Sequence, residues 1–308
     1  MPARKVFAHS KSLLRLSAVL ALSLSAVQPS ASAKPHPASW VVHRQPQKLV
    51  NGSPALFEVT SPAPLESLQG SWLGHEVVFS PGSSSSPSSR TRWFALAGVD
   101  LETKPGKYPL ALTGLSHGRT LAFESRFSIA KARYKTVTIS VPKKFTEPSP
   151  DELQDIARSK EIKTKAFHHV EPQRLWDGPF RAPAQARISD VFGVHRVTNG
   201  VVQSIHQGLD YAVPAGTVVT ALNRGTVLLA QPLYYEGNFI VIDHGQGLMT
   251  LYLHLSEFKV KQGDSVEAGQ VIALSGGTGQ ATGPHLHLAV RWQGIYLNPA
   301  TLLGLRMP

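Results

Sequence analysis

Residues 283–290 read GPHLHLAV, and residues 206–216 read HQGLDYAVPAG. In an extended strand successive side chains alternate between faces, so His285 and His287 leave the same face of a strand that contains them. Both imidazoles would enter one groove. In the other stretch His206 and Asp210 stand four apart around Gly208, which permits a turn that brings both side chains around one point. A third run, YLHLS at residues 252–256, places Tyr252 and His254 on one strand face by the same alternation. Neighbouring strands could set His254 beside the pair. The chain has no cysteine, so any metal must be held by His, Asp or Glu. Two imidazoles and a carboxylate, with a fourth position left to water, are the usual donors of a catalytic zinc site. HxH or HxxxD alone is a weak signal; together, beside another strand histidine, they point to a metal centre.

The sequence around these motifs is strand-like. From Ile188 onward it runs VVTALNRGTVLLAQ, NFIVIDHG, LMTLYLHLS, GQVIALSG and HLHLAVRW, separated by DHGQG, KQGD and GGTGQATG. Short, glycine-punctuated strands without long helices indicate an antiparallel β domain over residues 188–308. Upstream, WVVHR, ALFEV, HEVVFS, TRWFALAGV, YPLAL, RTLAFESRFSI and YKTVTISV alternate with turn sequences. They read as seven or so strands of an Ig-like β-sandwich over residues 34–145. The tract GSSSSPSS, residues 82–89, reads as a loop. Residues 146–187 form a linker. Ser149, Pro150, Asp151 and Glu152 mark a helix start, and the helix is expected from Pro150 to about Glu161. EPQRLWDGPFRAPAQARISDVFG then reads as an extended arm. The expected fold is mostly β: a sandwich joined by a short helix and an arm to an antiparallel domain with a zinc groove.

Residues 1–33 begin with Arg4, Lys5, Lys11 and Arg15, continue apolar from Leu16 to Val27 and end in Ala31, Ser32 and Ala33. This is the pattern of a secretory signal peptide, and the apolar run is short for a membrane span. The expectation is an exported protein, periplasmic by preference, with no integral membrane segment after cleavage. The absence of cysteine excludes disulfides, thiolate metal sites and a cysteine nucleophile. The formal charge of +11 suits an anionic envelope polymer. The basic residues are scattered, without a nucleic-acid-binding signature, and no nucleic-acid partner is expected. No paired carboxylates of the kind used in glycoside hydrolysis stand beside the histidines.

The region from Asp190 to Leu303 resembles the lysostaphin-type zinc peptidases, the M23 family of peptidoglycan endopeptidases. The likeness is carried by VFGVHR, HQGLDYAVPAGTVVTA, GTVLLA, GNFIVIDHGQGLMTLYLHLS, VKQGDSVEAGQVIALSGGTGQATGPHLHLAV and YLNPATLL, in the family's order and spacing. The N-terminal part resembles that of some exported bacterial M23 proteins. The resemblance makes His206, Asp210 and His287 the ligands of one zinc ion, and His254 and His285 the unliganded active-site histidines. It implies hydrolysis of peptide bonds in peptidoglycan cross-links or stems by zinc-activated water with two assisting histidines; one of His254 and His285 takes the proton, His285 by preference, and the other stabilises the oxyanion or protonates the leaving amine. The alternative is a noncatalytic peptidoglycan-binding or amidase-activating protein, which loss of a ligand would favour; the ligands are intact. Tyr252 and Thr282 are candidate substrate contacts. Arg196 is expected to fix the N-terminal segment by a salt bridge, with an anionic substrate group as its alternative partner, and His244, Asn223 and Asn238 are expected to serve turns and loops. The sandwich could dock within the chain, on or beside the groove.

Overall fold

Strict alternation sorts side chains onto the two faces of the N-terminal strands. The structure is a computed structural model that describes residues 39–82, 92–198, 200 and 202–308. The expected leader and the serine tract beyond Gly82 lie outside the described residues. Strands β1 (Val41–Gln45), β2 (Leu49–Val50), β3 (Pro54–Thr60), β4 (Ser67–Trp72) and β5 (His75–Val78) are followed by β6 (Ser80–Pro81), β7 (Arg92–Gly98), β8 (Gly106–Ser116) and β9 (Arg119–Ala130). One sheet has the order β1-β3-β7-β6 and the other β2-β9-β8-β4-β5. Along β8, Leu110 and Leu112 are buried while Ala111 and Thr113 face solvent. The two inner faces meet where Phe57 packs on Trp72 and Phe127, with ring centroids 5.2 and 5.3 Å apart. The Trp72 indole N–H donates to the Gly98 carbonyl at 2.9 Å.

The run YKTVTISV is not a strand of this sandwich. Its core, β10 (Thr136–Ile139), pairs in parallel with β12 (His195–Thr198), which pairs antiparallel with β13 (Val202–Ile205). Alternation identifies a strand but not its partner, and a parallel partner lies a long crossover away. Between them, helix α1 (Pro150–Phe167) starts at a capping box: Ser149 Oγ accepts from the Glu152 N–H, and the Glu152 carboxylate accepts from the Ser149 N–H. It runs six residues beyond the expected Glu161. Neither Gly nor Pro occurs between Glu161 and Pro172, and Ile162, Ala166 and Phe167 continue an apolar stripe onto a buried cluster of Leu229, Leu233, Phe239, Val241, Met249, Leu251 and Ala289. No helix of the described residues is long and apolar enough to cross a membrane.

The remaining strands are β11 (Ile188–Asp190), β14 (Gly208–Tyr211), β15 (Val218–Thr220), β16 (Gly225–Leu233), β17 (Gly237–Asp243), β18 (Leu248–Phe258), β19 (Ser265–Val266), β20 (Val271–Ser275), β21 (Leu286–Trp292) and β22 (Ile295–Leu297). They form one antiparallel sheet whose main path is β11-β14-β21-β18-β17-β16-β19. The sandwich meets this sheet closely: a Cβ at Gly98 would lie 2.7 Å from Leu297 and 3.0 Å from Trp292. The extended arm also crosses it, with Trp176 and Phe180 buried. Asn223 accepts from the Asp177 N–H and donates to the Asp177 carbonyl, the loop role expected for it.

His244 anchors a buried chain of hydrogen bonds beneath the sheet. Its Nδ1–H donates to the Arg224 carbonyl at 2.7 Å, so Nε2 accepts from Thr250 at 2.8 Å. Thr250 Oγ1 accepts in turn from Tyr252, whose oxygen accepts from the Leu222 N–H. Burial lowers the His244 pKa from 6.5 to about 4. Below about pH 6.5 the unfolded chain takes up a proton on His244 that the folded protein refuses until about pH 4. Stability is therefore full above that window and declines as the pH falls through it, by on the order of 3 kcal/mol from this residue. Thermal melts of wild type should fall between pH 7 and 4. The His244→Gln variant should be less stable at pH 7 and less steep in that range; an unchanged slope would contradict the account.

Candidate metal centre

Asp210 of β14 and His287 of β21 are direct cross-strand partners, so their side chains stand together on one face. Asp190 flanks Asp210 on β11, and Leu253 flanks His287 on β18. His206 follows β13 and is clamped by the turn VFGV. The His206 N–H donates to the Val194 carbonyl, and the His206 carbonyl accepts from the Gly193 N–H, both at 2.8 Å. The same turn presents the Val191 carbonyl to His206 Nδ1 at 2.8 Å. A carbonyl can only accept, so the ring proton sits on Nδ1 and Nε2 carries a lone pair into the site.

Three potential ligand atoms converge there. His206 Nε2 lies 3.1 Å from Asp210 Oδ1 and 3.0 Å from His287 Nδ1, and the last two are 2.7 Å apart. Edges of roughly 3.3 Å would surround a tetrahedral zinc ion, so a small outward adjustment separates this triangle from a metal-binding one. The donor chemistry fits a cation. His206 Nε2 and Asp210 Oδ1 are acceptors only, and one proton on His287 Nδ1 cannot serve both well, whereas a central divalent ion satisfies all three. Burial alone would raise the Asp210 carboxyl, but contacts with the His206 and His287 rings outweigh it and hold the group far below the usual carboxylate range. Burial lowers the His287 ring, keeping it neutral as a ligand must be.

Gly208 acts by close approach. A Cβ there would lie 2.3 Å from His287 Nε2 and 2.6 Å from the Leu288 carbonyl, so its lack of a side chain lets β14 lie against β21. The turn expected at this glycine is supplied instead by the change of direction between β13 and β14.

His254 reaches the site through a break in strand alternation. Between Tyr252 and Leu255, β18 has one residue more than its β17 partner, and His254 adopts φ +62°. This is a β-bulge. Tyr252 and Leu255 enter the main core, whereas Leu253 packs on the opposite cluster, and His254 lies beside His285 and His287 with ring centroids 4.7 and 6.1 Å away. Tyr252 and His254 therefore do not share a face, and the expected substrate role of Tyr252 is corrected: it is fully buried and belongs to the His244 chain. His254 Nδ1–H donates to the Thr278 carbonyl and His285 Nδ1–H to the Gly283 carbonyl, each at 2.8 Å. In both rings this leaves Nε2 as the free nitrogen. Burial, then the neighbouring His285 and His287, lowers the His254 pKa to about 3 and keeps that ring neutral.

The groove over these atoms includes a recess of about 410 Å3 lined by His254, His285, His287, Thr282, Ile139 and Val141. A second, of about 240 Å3, is bordered by His206, Tyr235, Glu236, Lys163 and Tyr296. Thr282 is thus at the groove mouth, exposed. Alternation did not reveal Thr278, whose hydroxyl donates to the Leu255 carbonyl and accepts from the Asn238 N–H while its carbonyl orients His254. Nor did it reveal Ile139 and Val141, which come from β10 and the residues just after it, or Lys163 of helix α1. Arg196 makes the expected salt bridge, but to two carboxylates, Asp190 and Asp210, at the centre itself. His168 and His169 line a separate recess of about 670 Å3 with Glu76 and Arg291.

Residues 204–299 match peptidase family M23. The chain is 38% identical over 199 residues to the Vibrio cholerae peptidoglycan DD-endopeptidase ShyA, covering 60% of this chain and 44% of that protein. It is 41% identical over 118 residues to the DD-carboxypeptidase/endopeptidase Mpg of Neisseria meningitidis, covering 38% of this chain and 27% of that protein. The chain thus spans less than half the length of these curated relatives. A Pseudomonas aeruginosa crystal structure assigned to M23 matches with TM-score 0.62 and 29% identity over 83% of this chain and 96% of that one. Residues 204–299 are thus a peptidase family M23 domain.

Removing a donor atom should remove the metal. His206→Ala, Asp210→Ala and His287→Ala are expected to weaken zinc binding more than about 100-fold, beyond the usual range for groups outside the ligand set. His254→Ala should retain near wild-type affinity. Competition with a chromophoric chelator checks both statements, and zinc bound equally well by His287→Ala would contradict this ligand set.

Proposed function

We propose that this M23 protein is a zinc-dependent endopeptidase acting on peptide bonds of bacterial peptidoglycan, with the D-alanyl to diamino-acid cross-link as its bond. One observation carries the reading: His206 Nε2, Asp210 Oδ1 and His287 Nδ1 converge within 3.1 Å beneath two histidines whose Nδ1 atoms are tied to carbonyls. The names of the Vibrio and Neisseria relatives support the cross-link. Export to the periplasm under residues 1–33, and docking of the sandwich on the catalytic domain, belong to the same proposal.

A zinc ion in this site supplies positive charge that polarises a scissile carbonyl and acidifies water. The chain moves the proton. Burial supports His254 as the neutral ring that accepts it at Nε2. The less buried His285 is the ring that, once it has taken a second proton from solvent at Nε2, donates it to the oxyanion or the leaving amine. This order reverses the roles expected from sequence. Thr278 and Gly283 contribute by fixing the ring tautomers.

Digestion of purified peptidoglycan, with products identified by mass, should give new amino termini on the diamino acid that disappear with chelator or with His287→Ala. His254→Ala should retain zinc and lose about 100-fold or more in kcat/KM. Binding to peptidoglycan without metal-dependent products would support the noncatalytic alternative instead.

A further inference from the structure

Only one oxygen of Asp210 faces the ligand triangle. Oδ1 lies 2.7 Å from His287 Nδ1 and 3.1 Å from His206 Nε2, whereas Oδ2 accepts from Arg196 Nη2 at 3.1 Å. Arg196 is itself gripped from the other side: its Nη2 and Nε donate to Asp190 Oδ2 at 2.6 and 3.2 Å. Asp190 is fixed in turn, because its Oδ1 accepts from the Val191 N–H at 2.9 Å. The cluster is sheltered, with side-chain exposures of 24% for Arg196, 27% for Asp190 and 10% for Asp210.

A carboxylate free to rotate about its last bond can offer both oxygens to a cation. One whose outer oxygen is held by a guanidinium offers a single oxygen. We propose that Arg196, held by Asp190, is a positioning residue that keeps Asp210 a one-oxygen ligand and so preserves an open fourth position at the metal. The inference rests on the metal-centre reading above and adds residues outside the ligand set.

The backbone reinforces this arrangement. Arg196 is in the middle strand of the small sheet, opposite Val137 of β10 on one edge and Ser204 of β13 on the other. The guanidinium that fixes Asp210 therefore starts from a strand whose parallel partner, β10, lies ahead of helix α1. Through that partner the chain ahead of the M23 stretch supports a metal ligand. A lysine in place of Arg196 would retain the charge but could not reach two carboxylates with a planar fork.

The test uses the full-length protein loaded with Co2+, read by chelator competition and by its visible absorption, which is strong for four-coordinate and weak for higher-coordinate cobalt. Arg196→Gln should bind 10–100-fold more weakly and lose visible intensity as Asp210 turns its second oxygen inward. Arg196→Lys should recover part of both, and Asp190→Asn should fall between wild type and Arg196→Gln. Wild-type affinity and spectrum in Arg196→Gln would overturn the proposal. If that variant does not fold, as judged by its metal-free melt, Asp190→Asn decides by the same criterion. Failure of wild type to bind cobalt would remove the metal-centre reading and this inference together; binding by wild type with no change in the variants would remove this inference alone.

Discussion

Two acceptor atoms, His206 Nε2 and Asp210 Oδ1, are held 3.1 Å apart in a buried site with a third donor atom beside them. Lone pairs brought this close repel unless a cation or a proton lies between them. The surrounding structure serves that constraint. The Val191 carbonyl prevents His206 from turning its protonated nitrogen inward. The pairing of Asp210 with His287 supplies the third donor atom, and that register resists slipping. Leu286 and Leu288 are fully buried on the opposite face, so a shift by one residue would drive His287 into the core and leucines into the groove.

The second constraint is the bulge at His254. A non-glycine residue in the left-handed region costs on the order of 1–3 kcal/mol, and here the conformation is held by two backbone contacts. The His254 N–H donates to the Glu236 carbonyl, and the ring donates to the Thr278 carbonyl. Glu236 also pairs with Lys163 of helix α1. The histidine above these three donor atoms is thus braced by the β16–β17 hairpin, the glycine-rich loop and, through Glu236, the linker helix. The strain persists because the surroundings over-determine it.

Where the sequence was legible, local periodicity and spacing carried the information. HLH places two imidazoles on one strand face regardless of the rest of the fold, and Ser149 to Glu152 defines a helix start through side chains that bond their own backbone. The mostly β class follows from the same alternation. What was hidden depends on a departure from period or on distant partners. Alternation assigned Tyr252 to the groove because a one-residue bulge has no distinct signature in LMTLYLHLS. The run YKTVTISV reads as any other strand, and only its parallel pairing with His195–Thr198 takes it out of the sandwich. Thr278 and the carbonyls of Val191 and Gly283 orient rings through backbone groups or loop geometry that residue type does not advertise. Arg196 was legible as a salt-bridging residue, but its two partners become visible only once β11 and β14 are side by side.

The most direct test of the account is X-ray absorption at the zinc edge of the purified wild-type protein after loading with one equivalent of zinc. The account predicts four nitrogen or oxygen neighbours at about 2.0–2.1 Å, with the multiple-scattering signature of two imidazoles. A shell of six oxygen atoms without imidazole scattering would contradict it.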